Sequence, residues 1–289
     1  MVDMEEKSIK TLHEIERSII KTYRKNIWVK FVKAINEYDM IQDGDKIAVA
    51  ISGGKDSLAL AKCFQELQKH GKIKFELEFI AMDPGYKKEN RDLLEFNCEK
   101  LGIPLKVHDS DIFEVADRVA GDNPCYMCAR MRRGNLYNKA QELGCNKLAL
   151  GHHFNDVIET IMLNVLFAGN FKTMMPKLHS DNFEGLELIR PLYYVEEEAI
   201  IRFMKSTGLN ALDCACTVAE KKEGNMRFYI KDLIEDIKKV NNNADINILR
   251  SAENVNMGAI VGWKFRDEKH SFLENYNNEE NIWNLFLGM

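Results

Sequence analysis

The sequence predicts an α/β fold: a parallel twisted sheet flanked by helices, with helical N- and C-terminal extensions. Three observations lead there. Lys46-Ile47-Ala48-Val49-Ala50-Ile51 is a short, almost unbroken apolar run, as a strand buried on both faces requires. Strand-like and helix-like segments then alternate, the pattern of repeated βαβ units. A turn containing Gly53 and Gly54 joins that first strand directly to a helix.

Taken in order, residues 7–37 read as a helix rich in Lys and Arg (Lys7, Lys10, Arg17, Lys21, Arg24, Lys25, Lys30, Lys33). Asp43-Gly44-Asp45 turns the chain into the first strand. A helix over residues 57–70 leads to a strand over 75–82, and a helix over 87–101 to a strand over 104–108. A helix over 129–143, a strand over 147–150 and a helix over 155–167 follow. From Pro191 onward the pattern is mostly helical. Residues 274–281 read as a solvated linker, and Ile282, Trp283, Leu285, Phe286 and Leu287 beyond it suit docking on a neighbour or second subunit. No internal repeat is present. Loops after parallel strands gather at one edge of the sheet, where α/β proteins bind ligands.

Composition narrows the class. With 289 residues, 45% hydrophobic and 29% charged, the chain can bury a substantial core and is not a disordered polymer. No apolar run approaches the roughly 18 residues that span a bilayer, and Ile161–Phe167 is interrupted by Asn164. The N-terminus carries Asp3, Glu5, Glu6 and Lys7 and lacks a signal-peptide core, so a cytoplasmic location without a membrane partner is expected. A net charge of −5 argues against a strongly basic, nonspecific nucleic-acid binder but leaves room for a local basic face. In a reducing compartment the seven cysteines are thiols or metal ligands rather than disulfides. Cys63, Cys98 and Cys145 stand singly in helical-looking stretches and read as core, whereas Cys125/Cys128 and Cys214/Cys216 are close pairs.

Ser52-Gly53-Gly54-Lys55-Asp56-Ser57 is the sharpest feature. A helix start directs backbone N–H groups and the positive dipole end at an anion. Two glycines allow close approach and positive φ. Ser52 and Ser57 donate hydrogen bonds, Lys55 adds charge, and Asp56 is placed to hold Mg²⁺. Neither G-x-x-x-x-G-K-[ST] nor G-x-G-x-x-G is present. The bland alternative is a glycine-rich strand-to-helix turn without a ligand.

This loop resembles the pyrophosphate loop of the PP-loop ATPase superfamily, which cleaves ATP between the α and β phosphates and adenylates an acceptor oxygen. Further along, Pro124-Cys125-Tyr126-Met127-Cys128-Ala129-Arg130-Met131-Arg132-Arg133-Gly134 is similar to the C-x-x-C-x-R-x-R-R-G segment of tRNA 2-thiocytidine synthetases. Gly151-His152-His153-Phe154-Asn155-Asp156-Val157-Ile158-Glu159-Thr160 resembles their G-H-H-x-D-D-x-x-E-T, with Asn155 in place of the first acid. Ile189-Arg190-Pro191-Leu192 and Cys214 also fall where that family has I-R-P-L and a third cysteine. The match is good over about 40–216 and thins afterwards. It implies a PP-loop (adenine nucleotide alpha hydrolase-like) domain over 41–215, between a basic helical segment (1–40) and a mostly helical extension (216–289).

The resemblance implies ATP, Mg²⁺ and a [4Fe–4S] cluster as cofactors, with tRNA as substrate, a cysteine desulfurase or free sulfide as sulfur donor, and a homodimer. It assigns Cys125, Cys128 and Cys214 to the cluster, with Cys216 as the alternative third ligand because the family's later C-x-x-C stands here as Cys214-Ala215-Cys216, and one iron staying open to carry sulfide; the spacing C-x-x-C by itself also fits a four-cysteine zinc site or a persulfide relay. Ser52, Gly53, Gly54, Lys55, Asp56, Ser57, Asp83, Gly151 and His152 are the candidate nucleotide-site residues, Asp83 for ribose or adenine. Lys55, Asp56 and Asp156 are the candidate catalytic residues, Asp156 for Mg²⁺ or substrate polarisation. Arg130, Arg132 and Arg133 are candidates for tRNA phosphates, since guanidinium forks pair with phosphate bidentately; a solvated helix face is the plain alternative. The N-terminal basic helix is a second candidate RNA contact.

The expected reaction is 2-thiolation of a tRNA cytidine, at position 32 of the anticodon loop. Two rivals remain at this level: a lysidine synthetase-like tRNA modification without sulfur, which would not need the cysteines, and a non-catalytic nucleotide- and metal-binding RNA module.

Overall fold

A six-stranded sheet in the order β3-β2-β1-β4-β6-β5 forms the centre of this computed structural model, which describes residues 9–110, 124–212, 226–265 and 267–276. β1 (Lys46–Ala50) lies at the middle of the sheet, with Ile47, Ala48 and Val49 fully enclosed. It pairs in parallel with β2 (Glu76–Asp83) on one side and β4 (Lys147–Ala149) on the other. β3 (Leu105–Asp109) extends the sheet beyond β2. Because β2 and β3 lie to one side of β1 and β4 to the other, the strand order reverses between β1 and β4. That reversal opens a crevice at their C-terminal ends.

Helices cover both faces. α3 (Lys55–His70) and α4 (Lys88–Lys100) follow β1 and β2; α5 (Pro124–Glu142) precedes β4 and α6 (Phe154–Phe167) follows it. α3 begins at Lys55, two residues earlier than the sequence suggests, so Lys55 and Asp56 lie in its first turn. Two strands were not legible in the pattern: β6 (Glu187–Ile189), parallel to β4, and β5 (Lys177–His179), antiparallel to β6. Each has three residues, too few for a period-two signal.

The N-terminal segment is not one continuous helix. α1 (Leu12–Ile20), opened by a Thr11/Glu14 capping box, is separated from α2 (Val29–Glu37) by a π-helical turn over Arg24–Trp28. Ile15, Ile19 and Phe31 join the core that contains Phe64. Fully buried Lys62 of α3 reaches Glu16 of α1 at 3.0 Å and the Leu101 carbonyl at 2.9 Å, pinning that layer. Downstream, α7 (Glu197–Thr207) packs on α3, and α8 (Met226–Val240) and α9 (Ala244–Glu253) pack on α6. The mostly helical expectation for this end omits a hairpin, β7 (Gly262–Phe265) with β8 (Glu268–Ser271), which precedes the short α10 (Leu273–Tyr276). Residues 282–287 lie outside the described residues.

Candidate nucleotide site at the switch point

The turn between β1 and α3 is built for an anion. Gly53 has φ +81°, and a Cβ there would lie 2.5 Å from Leu212 Cδ1. Gly54 is the N-cap of α3 and supplies no side-chain cap, so the first-turn N–H groups lack the usual intrahelical acceptors. Ser57 fastens the turn: its hydroxyl donates to the Gly54 carbonyl at 2.9 Å and accepts from the Ser52 N–H at 3.2 Å. The Ser52 hydroxyl accepts from the Gly54 N–H at 3.3 Å. Gly151, after β4, comes so close that a Cβ would sit 3.2 Å from the Ser57 nitrogen, which accounts for glycine there.

These residues border a cleft of about 440 Å³ lined by Ser52, Asp56, Ser57, Gly151, His152 and Asp156, with Arg132 and Arg133 of α5 on the far wall. A depression of similar size, about 460 Å³, is lined by Trp28, Val32, Leu67 and Ile73. It lies away from the C-terminal strand edge and brings together none of the candidate residues.

Charge inside the cleft is only partly balanced. Asp56 Oδ1 is buried without a hydrogen-bond partner, and His153 Nε2 stands 3.7 Å away. Burial raises the Asp56 pKa, against the pull of His153 and Lys55. A buried carboxylate oxygen without a donor, facing a phosphate-shaped turn, fits a Mg²⁺ ion that keeps several waters and takes one or two carboxylates. Lys55 bonds Asp56 at 3.1 Å and Glu197 at 3.0 Å, and Glu197 in turn bonds Lys231 of α8 at 2.6 Å. Burial opposes ionisation of Glu197, but its hydrogen bonds from Lys231 and Lys55 prevail and hold it at about 2. Burial, helped by nearby Arg190, pushes His152 down to about 4, so it is neutral at physiological pH, and its Nδ1 has no partner.

Other candidates are committed to the fold. Asp156 forms a capping box at the start of α6: its Oδ2 accepts from the His153 N–H at 3.0 Å, and its own N–H donates to His153 Nδ1 at 3.4 Å. Asp156 Oδ1 also bonds Arg227 at 2.9 Å. Asn155, standing where the resemblance has an acid, accepts the Glu197 N–H at 3.0 Å at the start of α7, a role its amide oxygen fills. Asp83 accepts from the Gly85 and Tyr86 N–H groups at 2.9 and 2.6 Å and from Arg91 at 2.7 Å, and it does not line the cleft. Arg132 donates to the Tyr86 hydroxyl at 2.9 Å, while Arg133 is exposed. In the N-terminal segment, Lys30 pairs with Glu196 and Lys33 with Glu37.

Cys125 and Cys128 lie three residues apart in the first turns of α5. Their side chains and that of Arg130 lie outside the described residues, as do Cys214 and Cys216. Among the described residues no three His, Cys, Asp or Glu side chains are arranged to hold a metal. Glu197, Arg227, Lys231 and Leu212 are site residues that the sequence did not reveal; no local motif marks them. Arg190, inside I-R-P-L, had such a signal: its Nη1 donates to the Met175 carbonyl, and its Nε is buried without a partner.

A mostly parallel sheet with an uncapped glycine turn at its switch point defines an α/β nucleotide-binding protein of the PP-loop class. A PP-loop domain family model matches residues 22–214. The tRNA-cytidine(32) 2-sulfurtransferase of Syntrophotalea carbinolica is 39% identical over 71% of this chain and 81% of its own length. The protein of the same name from Geobacter sulfurreducens is 38% identical over 77% and 87%. The chain therefore belongs to the PP-loop domain family and, within it, to the tRNA-cytidine(32) 2-sulfurtransferases. In fold it is similar to the U34-tRNA thiolase NcsA from Methanococcus maripaludis, with a TM-score of 0.62 and 24% identity over 78% of this chain and 76% of that one. No described helix is long and apolar enough to cross a membrane.

Proposed function

We propose that this chain is an ATP-dependent tRNA sulfurtransferase that replaces the C2 oxygen of a tRNA cytidine by sulfur, at position 32 as in its relatives' name. One observation carries the reading. α5, which begins with Cys125 and Cys128, is itself a wall of the nucleotide cleft: Arg132, four residues and about 6 Å of helix rise beyond Cys128, lines it together with Ser52 and Asp56.

Ser52, Gly53, Gly54 and the first turn of α3 hold the phosphates bound for release as pyrophosphate. Mg²⁺ at Asp56 would offset phosphate charge. The cytidine O2 attacks the α-phosphorus; the new O–P bond forms as the bond to the bridging oxygen breaks and pyrophosphate leaves. The oxygen at C2 is now an AMP ester, a better leaving group, and sulfide displaces AMP. Lys55 supplies positive charge beside the departing pyrophosphate. His152, neutral and with a free ring nitrogen, orients the base by hydrogen bonding rather than by charge.

The family resemblance implies an iron–sulfur centre, and the cysteines available to hold it are few. Cys63, Cys98 and Cys145 are buried, and burial raises all three thiols, to about 12 for Cys98 and about 11 for Cys145, disfavouring the thiolate that metals require. That leaves the two close pairs, and by the family resemblance Cys125, Cys128 and Cys214 would hold the cluster, Cys214 rather than Cys216 because it aligns with the first cysteine of the family's later pair. Bound there, a [4Fe–4S] cluster would supply an open iron to carry the sulfide that the donor provides.

The test is anaerobic reconstitution followed by incubation with tRNA, Mg²⁺-ATP and sulfide. 2-Thiocytidine detected by nucleoside mass spectrometry, with AMP and pyrophosphate, is the expected result. An intact cluster and bound ATP with no thiolated nucleoside overturns the proposal.

A further inference from the structure

The end of α6, the loop after it and the start of α8 present large apolar side chains to solvent. Phe167 is 49% exposed, Phe171 51%, Met226 52% and Tyr229 59%. The rings of Phe167 and Tyr229 meet edge to face with centroids 6.3 Å apart, so two separate helices hold them as a pair. One bond links this shelf to the cleft and another holds the loop after α6. Arg227, between Met226 and Tyr229, bonds Asp156, and the Met175 carbonyl, four residues past Phe171, accepts from Arg190.

Exposed apolar groups gathered at one place mark an interaction surface. Its surroundings indicate the partner. Lys172, adjacent to Phe171, is exposed, and Arg133 is exposed on the far wall of the cleft. Both carry the charge that pairs with phosphate. Aromatic faces flanked by cations are the chemistry by which proteins hold unpaired nucleotides: the rings stack bases and the cations meet the backbone. The reaction needs such a surface, because a cytidine must leave its stack to bring O2 to the α-phosphate, and its neighbours lose stacking partners.

We propose that the Phe167–Tyr229 shelf stacks the unpaired bases next to the target cytidine, with Lys172 at the adjoining phosphate. The inference rests on the tRNA substrate proposed above and adds where the loop is read.

The test uses the full-length protein and an RNA stem-loop carrying 2-aminopurine beside the target cytidine, followed by anisotropy and by fluorescence quenching. Wild-type protein binds the loop and quenches the probe. Tyr229→Ala and Phe167→Ala each bind about 10-fold more weakly or worse and lose the quenching, whereas Tyr229→Phe keeps both. ATP affinity, measured in parallel, stays at the wild-type value and shows that the variants are folded. Unchanged loop affinity and quenching in the alanine variants overturn the shelf and leave the RNA substrate standing. A wild-type protein that fails to bind the loop overturns both. A wild-type dimer that Tyr229→Ala turns into a monomer at unchanged loop affinity, by light scattering, assigns the shelf to a second copy and overturns the inference.

Discussion

Leu212 closes the phosphate turn from beneath: its N–H donates to the Gly53 carbonyl at 2.9 Å, and its side chain fills the space where a Cβ on Gly53 would project. The turn is thus held in its left-handed conformation by a residue far along the chain. Gly53→Ala meets both obstacles, the positive φ and the 2.5 Å contact with Leu212 Cδ1. It is expected to lower stability by about 1–2 kcal/mol and to weaken ATP binding. Adding Leu212→Ala relieves only the contact, so ATP affinity recovers in part. Thermal unfolding and equilibrium ATP binding on the single and double variants check this.

Asp56 and Asp156 predict opposite outcomes. Asp56 is a buried carboxylate with an unpartnered oxygen, so Asp56→Asn should leave stability unchanged or higher while lowering the adenylation rate by about 10²-fold. Asp156 caps α6 and bonds Arg227, so Asp156→Asn should cost about 1 kcal/mol of stability, with a smaller loss of rate. Tm and pyrophosphate release on both variants separate the roles.

The cysteines divide by environment. Cys125→Ala, Cys128→Ala and Cys214→Ala are expected to abolish thiolation while ATP still binds. Cys63→Ala, Cys98→Ala and Cys145→Ala should retain thiolation and lose only stability, since these thiols pack in the core. Cluster absorbance and 2-thiocytidine yield across the six variants are the measurements. Retained thiolation after loss of Cys125 or Cys128 would remove the cluster from the mechanism, whereas an ATP-dependent tRNA modification that carries no sulfur and survives the changes to Cys125, Cys128 and Cys214 would favour a lysidine synthetase-like reaction.

Glu159 gives a pH signature. Burial raises its carboxyl from the ordinary 4.5 to about 7, with Arg227 pulling the other way. Between those values the folded chain holds a proton that the unfolded chain has released. Its contribution is therefore fully present below about pH 4.5, falls as pH rises and is gone above about 7. Glu159→Gln should flatten that part of the Tm-versus-pH curve; an unchanged slope refutes the assignment.

Much of the site was readable because its signals are local. The apolar run before Ser52, the paired glycines and the cysteine pair of α5 each report on a few consecutive residues. Short-range backbone geometry and hydrophobic period are what sequence encodes most directly. β5 and β6 were missed because three residues carry no period, and the N-terminal helix was read as continuous because no Gly or Pro in residues 7–37 marks the π-helical turn. Asp156 read as a candidate for Mg²⁺ or substrate polarisation; its contacts with His153 and Arg227 appear only in the structure.

By itself, then, the sequence determined the phosphate turn, the alternation of strands and helices, and which cysteines stand in pairs. Tertiary structure decided what meets across the cleft. The β1–β4 reversal sets Gly151 against Ser57, α5 brings Arg132 and Arg133 to the opposite wall, and α8 returns Arg227 to Asp156 across 71 residues of chain. The physical reason is that these contacts follow from burying several apolar faces in one core, and no local stretch of chain specifies which distant polar groups that burial brings together.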